Sequence, residues 1–116
     1  MNETQLTRFR PWVATLVIAG AAAVVYAGAV QNGFVSLDDS EYVFENPHVT
    51  SGITADGVRW AFSVEDGRTY FHPITWLSLM LDAHLFGVNA GAFHLVNVLL
   101  HALNAVLLFA LLWTTT

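Results

Sequence analysis

Two long apolar runs without a formal charge constrain this chain more than any other feature. Trp12 to Val30 is 19 residues, mostly Ala, Val, Ile and Leu, and Phe93 to Trp113 is 21 residues, likewise free of Asp, Glu, Lys and Arg. At about 1.5 Å rise per residue, a helix of either run reaches across most of a hydrocarbon core about 30 Å thick. Each run therefore predicts a membrane-crossing helix, the second ending in Trp113, where interfacial aromatics usually sit. Composition agrees: 55% of the 116 residues are hydrophobic and 11% are charged, about half the charged share of a soluble domain.

The predicted fold class is an all-α membrane protein. A cytoplasmic N-terminus (1–11) leads into transmembrane helix 12–30, an acidic extracytoplasmic loop (31–91) carrying short amphipathic surface helices, and transmembrane helix 92–113. Orientation rests on Arg8 and Arg10, because short basic flanks tend to stay in the cytoplasm, and the expected location is the cell (inner) membrane. A cleaved secretory signal is the rival reading of the first run, with Ala27-Gly28-Ala29 resembling a cleavage site. The run is long for a signal, however, and no polar spacer precedes the small residues.

All four basic residues are Arg and the net charge is −5, so no basic field exists to hold nucleic acid. The absence of Cys excludes disulfides, thiolate metal sites and cysteine nucleophiles. Between the runs lie Asp38, Asp39, Glu41, Glu45, Asp56, Glu65, Asp66 and Asp82 against Arg59 and Arg68, a balance of −6. No Walker sequence, GxSxG or glycine-rich phosphate loop occurs.

Within the loop, Asn32-Gly33, Asn46-Pro47 and Asp66-Gly67 mark turns. Thr54 or Asp56 is placed to cap a short helix through Val58, Trp60, Ala61 and Phe62. Pro73 suits the first turn of a longer helix running to about Phe86 and stopped by Gly87. There Ile74, Leu77, Leu81 and Leu85 recur at helical spacing, with Asp82 and His84 off that stripe, which predicts a helix lying along the membrane surface. The loop aromatics, from Tyr42 to Trp76, read as a small core and membrane anchor rather than a sugar platform.

Asp38-Asp39 is the most informative pair, eight residues beyond the first predicted span. Adjacent carboxylates suit one member to act as a base, or the pair to bind a divalent cation; Ser36 to Asp39 also fits a helix-capping box. On the second span His94, Asn97, His101 and Asn104 fall within about 80° of arc, a polar stripe that calls for a partner helix or a wet cavity. His94 and His101 lie about 10 Å apart along the axis, too far to share a metal. His72, next to Pro73, stands out from His48 and His84, which read as packing or surface residues. Arg59 and Arg68 are candidates for bidentate phosphate binding, with ion pairing to the loop acids as the default.

The order of several motifs carries a family resemblance: Asn32-Gly33-Phe34-Val35, Asp38-Asp39-Ser40-Glu41-Tyr42-Val43, Glu45-Asn46-Pro47-His48-Val49, Trp60-Ala61-Phe62, His72-Pro73-Ile74-Thr75-Trp76-Leu77-Ser78, Met80-Leu81-Asp82, Leu85-Phe86-Gly87 and His94-Leu95-Val96-Asn97-Val98-Leu99-Leu100-His101. Together they resemble the N-terminal region of bacterial multi-span tetratricopeptide-repeat membrane proteins, related to the protein O-mannosyltransferase branch of the GT-C glycosyltransferases. Leu79 and Phe93 depart from the pattern, standing where histidines are expected. The resemblance implies a fragment of a polytopic GT-C-type fold that moves a sugar from a polyprenyl-phosphate donor to an extracytoplasmic acceptor hydroxyl, with a protein as candidate acceptor. Asp38 and Asp39 would be base and partner, or ligands of a divalent cation. His72, His94, Asn97 and His101 would support the cavity, and Arg59 and Arg68 would hold phosphate. The implied partners are membrane lipid, the lipid-linked donor and further transmembrane helices, and the isolated chain is expected to be inactive. The competing reading is a non-catalytic membrane assembly module.

Overall fold

The computed structural model describes residues 10–64 and 70–115. Its elements in chain order are α1 (Pro11–Tyr26) with a 3-10 extension (Ala27–Gln31), a π-helical turn (Ser40–Phe44), α2 (Pro47–Thr50), α3 (Ala55–Phe62), α4 (Pro73–Phe86) and α5 (Ala90–Thr115). Among the described residues the fold is all-helical, without a strand. It divides into two compact units, one made of residues up to 29 together with 95 onward, the other of residues 30–94.

The first unit contains most of the two long helices. Pro11–Gln31, 21 residues, and Ala90–Thr115, 26 residues, are each long and apolar enough to cross a membrane. Pro11 starts α1 as the first helical residue, where its missing N–H costs nothing. Large side chains such as Leu16, Val24 and Leu107 stand open along these helices, as expected of residues whose solvent is lipid. Tyr26 meets His101 edge-on, ring centroids 4.9 Å apart.

The second unit has a small core of Val43, Val49, Ala61, Trp76, Met80, Ala83 and Phe93. Side chains set the helix starts. Asn46 accepts a hydrogen bond from the His48 N–H, so the Asn46-Pro47 turn opens α2. The Thr54 hydroxyl accepts from the Gly57 N–H at 2.9 Å, leaving Asp56 to pair with Arg59. Asn89 accepts from the Ala92 N–H at 3.0 Å and begins α5 there. Gly87, at φ 66°, ends α4 in a conformation that disfavours other residues. Gly52 is doubly constrained: its φ is +71° and a Cβ there would come within 3.1 Å of the His84 backbone.

The face that α4 buries lies away from the apolar stripe expected at the membrane surface. Trp76, Met80 and Ala83 point into the core, whereas Ile74, Leu81 and Leu85 are exposed and Leu77 is half-buried. This helix is apolar nearly all round rather than amphipathic, so the core could have claimed either side; aromatic packing of Trp76 on Tyr42 and Trp60 decided between them. Asp82, which lies off that stripe, is only 5% exposed.

Candidate functional site

The acidic doublet lies in the segment joining the 3-10 turn to the π-helical turn, and its two carboxylates have different surroundings. Asp39 is half-buried and its Oδ2 accepts the Val35 backbone N–H at 2.8 Å. The capping interaction anticipated from Ser36 therefore reaches one residue further back. Asp38 is exposed; its carbonyl accepts the Tyr42 N–H at 2.9 Å, while its carboxylate makes no hydrogen bond among the described residues. One acid thus closes the turn, and the other presents an open oxygen pair.

The N-terminal turns of α5 hold the approach to this doublet. A Cβ on Gly91 would lie 2.8 Å from the Val30 carbonyl oxygen, so only glycine allows that closeness. One turn on, Nε2 of His94 lies 3.4 Å from the Gly33 carbonyl oxygen, a long and therefore weak hydrogen bond for the Nε2-protonated tautomer. Phe34 packs edge-on against Phe93 at 5.6 Å and also touches the Phe44 ring at 5.7 Å. His94 thus contacts the loop that leads into the acidic turn through Gly33 and the Phe34 ring.

Beyond the doublet stands a stack of rings. Tyr42 lies 5.4 Å from His72 and 4.8 Å from Trp76, nearly parallel to both, and His72 lies 5.1 Å from Trp76. Trp60 meets Trp76 at 4.8 Å and stacks on His48 at 4.5 Å. Burial, followed by the negative charges of Glu41 and Asp38 and then Tyr70, pushes the Tyr42 hydroxyl above its ordinary range. Tyr42 thus touches both neighbours, its backbone N–H donating to the Asp38 carbonyl and its ring stacking on His72. Among the described residues, two buried nitrogens in this stack, His72 Nε2 and Trp76 Nε1, lack a hydrogen-bond partner; leaving such a group unpaired costs about 1–3 kcal/mol.

Sequence reasoning missed Tyr42 and Asp82. The signal for Tyr42 is its i+4 spacing from Asp38, which puts both on one side of a helical turn. Asp82 is the only acid in α4; burial pushes its carboxyl above the usual range.

Other candidates stand apart. Arg59 donates to the Asp56 carboxylate at 2.8 Å with both side chains exposed, the ion pair taken as its default. Arg68 and Arg8 lie outside the described residues, as does the Asp66-Gly67 turn. Asn97 and His101 belong to the other unit and are exposed on α5. Among the described residues no group of three or more His, Asp or Glu gathers to hold a metal.

Acidic turn, ring stack and two long apolar helices together describe a membrane protein with a polar patch in its loop unit. Among known proteins, the chain is similar to the protein O-mannosyl-transferase TMTC1 of Mus musculus, 32% identical over 108 aligned residues that cover 84% of this chain and 11% of that protein. It is 30% identical to the Homo sapiens protein of the same name over 108 aligned residues, covering 84% of this chain and 12% of the relative. These relatives are mammalian, whereas the motifs pointed to bacterial proteins. No family model matches the chain, and no solved structure matches it.

Proposed function

We propose that this chain is the N-terminal part of a membrane glycosyltransferase that moves a sugar from a polyprenyl-phosphate donor to a hydroxyl on the far side of the membrane from the N-terminus. The observation that carries this reading is the similarity to protein O-mannosyl-transferase TMTC1 across 84% of the chain. Asp38 is the general base: its carboxylate is open, and a base must come within hydrogen-bond reach of the hydroxyl it deprotonates. The resulting oxygen attacks the anomeric carbon, and the bond from that carbon to the phosphate oxygen breaks, its electron pair leaving with the lipid phosphate. Asp39 positions Asp38 by closing the turn on Val35, and Tyr42, His72 and Trp76 form the adjoining wall. Arg68 and helices beyond this chain are the sources of positive charge for the leaving phosphate; Arg59 is engaged by Asp56.

The test is transfer from a polyprenyl-phosphate sugar in membranes containing the complete polypeptide that carries this segment. Asp38→Asn lowers transfer by about 10²–10⁴-fold, the range of a lost general base, and Asp39→Asn lowers it less. Unchanged transfer in Asp38→Asn removes the carboxylate from the mechanism. The second reading, a non-catalytic assembly module, draws on the exposed Asn97, His101 and Asn104, whose polar groups need partners at membrane depth. It gains if no transfer is detected and these residues govern association.

A further inference from the structure

We infer that Asn46 is a positioning residue for the acidic turn: its side-chain amide locks the far end of the π-helical turn that begins beside Asp38 and Asp39. Its bearing on catalysis rests on the reading of Asp38 as general base. Asn46 is only 8% exposed, and both ends of its amide are engaged. Oδ1 accepts the His48 N–H at 3.1 Å, while Nδ2 donates to the Glu41 carbonyl at 3.2 Å. Turning the amide over would set oxygen against the Glu41 carbonyl and N–H against N–H, so the two bonds together fix its orientation.

The bond to Glu41 stands where the backbone pattern runs out. In a π-helical turn an N–H reaches back five residues, as Glu45 does to the Ser40 carbonyl at 2.9 Å. One residue on, the same pattern would bring the Asn46 N–H to Glu41; that N–H donates instead to the Val43 carbonyl at 3.2 Å. The Asn46 side chain supplies the donor that the Glu41 carbonyl would otherwise miss. Such π-helical geometry is rare and recurs at functional sites, and here it is held from both sides. Asp39 ties the front of the turn to the Val35 N–H at 2.8 Å, Asn46 ties the rear to Glu41, and between them the Tyr42 N–H donates to the Asp38 carbonyl at 2.9 Å. The backbone from which the Asp38 carboxylate projects is therefore set by side chains on either side of it in sequence. Two substitutions separate this role from the capping of α2. Asn46→Asp keeps an oxygen for the His48 N–H but, ionised, has no donor for Glu41. Asn46→Ser also keeps a capping oxygen, uncharged and on a side chain one atom shorter, which leaves Glu41 out of reach while it caps.

The test compares both variants with the unaltered complete polypeptide in membranes, with Asp38→Asn as reference. In both, kcat for transfer from a polyprenyl-phosphate sugar is expected to fall by about 10-fold or more, towards the ~10²-fold that a misplacement of ~1 Å costs, with KM for the donor unchanged. Hydrogen exchange read by mass spectrometry is expected to quicken several-fold across residues 40–45 and to stay unchanged in α4, which a residue needed only for folding would also loosen. Unchanged kcat in both variants, with Asp38→Asn inactive, would overturn the inference and leave the base in place. A loss confined to Asn46→Asp would trace to the new charge and overturn it equally, as would loosening that spreads to α4 or a rise in KM at constant kcat. Absence of transfer by the unaltered protein, or full transfer by Asp38→Asn, would instead overturn the glycosyltransferase reading. Exchange then decides alone: a loosened turn upholds the lock on Glu41, and unchanged exchange removes it. Should Asn46→Asp fail to fold, Asn46→Ser carries the comparison by itself.

Discussion

The two units of this protein solve burial in opposite ways. In the unit of long helices, leucines and valines stay open along α1 and α5, Val24 reaching 77% exposure, and the surrounding lipid acts as the solvent. In the loop unit a few side chains are wholly enclosed, with Val49, Ala61 and Met80 at 0%, and stability comes from aromatic packing around Trp76. The difference means that one substitution should have separate consequences in the two places: a cavity matters in the loop unit, a charge in the long helices.

The largest effect is expected from Trp76→Ala, which removes the ring shared by Tyr42, His72 and Trp60 and should destabilise the loop unit by about 3–5 kcal/mol. In micelles, near-UV circular dichroism should lose its aromatic signal while most far-UV helix signal persists; simultaneous loss of both would show that the units do not fold separately. Next comes Leu103→Arg at the middle of α5, with an insertion cost of about 2.5–3.5 kcal/mol. It is read as the fraction inserted into microsomal membranes, and arginine at the exposed loop residue Val64 should leave that fraction unchanged.

A smaller effect, dependent on pH, is expected at Asp82. Its folded-state pKa is raised by burial, so the folded protein holds this proton more tightly than the unfolded chain. The group's contribution is therefore most favourable below the ordinary carboxyl pKa of about 3.9, and stability falls as pH rises from there through the raised folded value. Asp82→Asn should flatten that decline and stabilise the loop unit at neutral pH, as followed by denaturant unfolding across a pH series. The smallest effect belongs to Arg59→Ala, which breaks an exposed pair worth about 0–1 kcal/mol; a larger shift in the unfolding midpoint would reveal a role beyond the bond to Asp56.

Much of the local structure could be read directly from residue order. Pro73 and Gly87 bracket α4, Thr54 caps α3, and each uncharged run becomes a long helix, because capping chemistry and helix length act through near neighbours. The candidate site was legible only in part. Asp38 and Asp39 stood out as a pair, but their division of labour depends on a bond from Asp39 to Val35 that no spacing rule specifies. His94 was visible as one member of a polar stripe, yet its contact is with the carbonyl of Gly33, 61 residues away in sequence.

What the sequence determined by itself was therefore the helices, their ends and the need for lipid, since these follow from hydropathy, helical rise and local hydrogen bonding. Only the tertiary structure decided which side of α4 faces inward, why Asp82 is buried and how Tyr42 comes to touch both Asp38 and His72. A helix that is apolar on nearly every side has no unique buried stripe in its periodicity. Its orientation is set by the shapes of distant partners, here the rings of Tyr42 and Trp60 against Trp76.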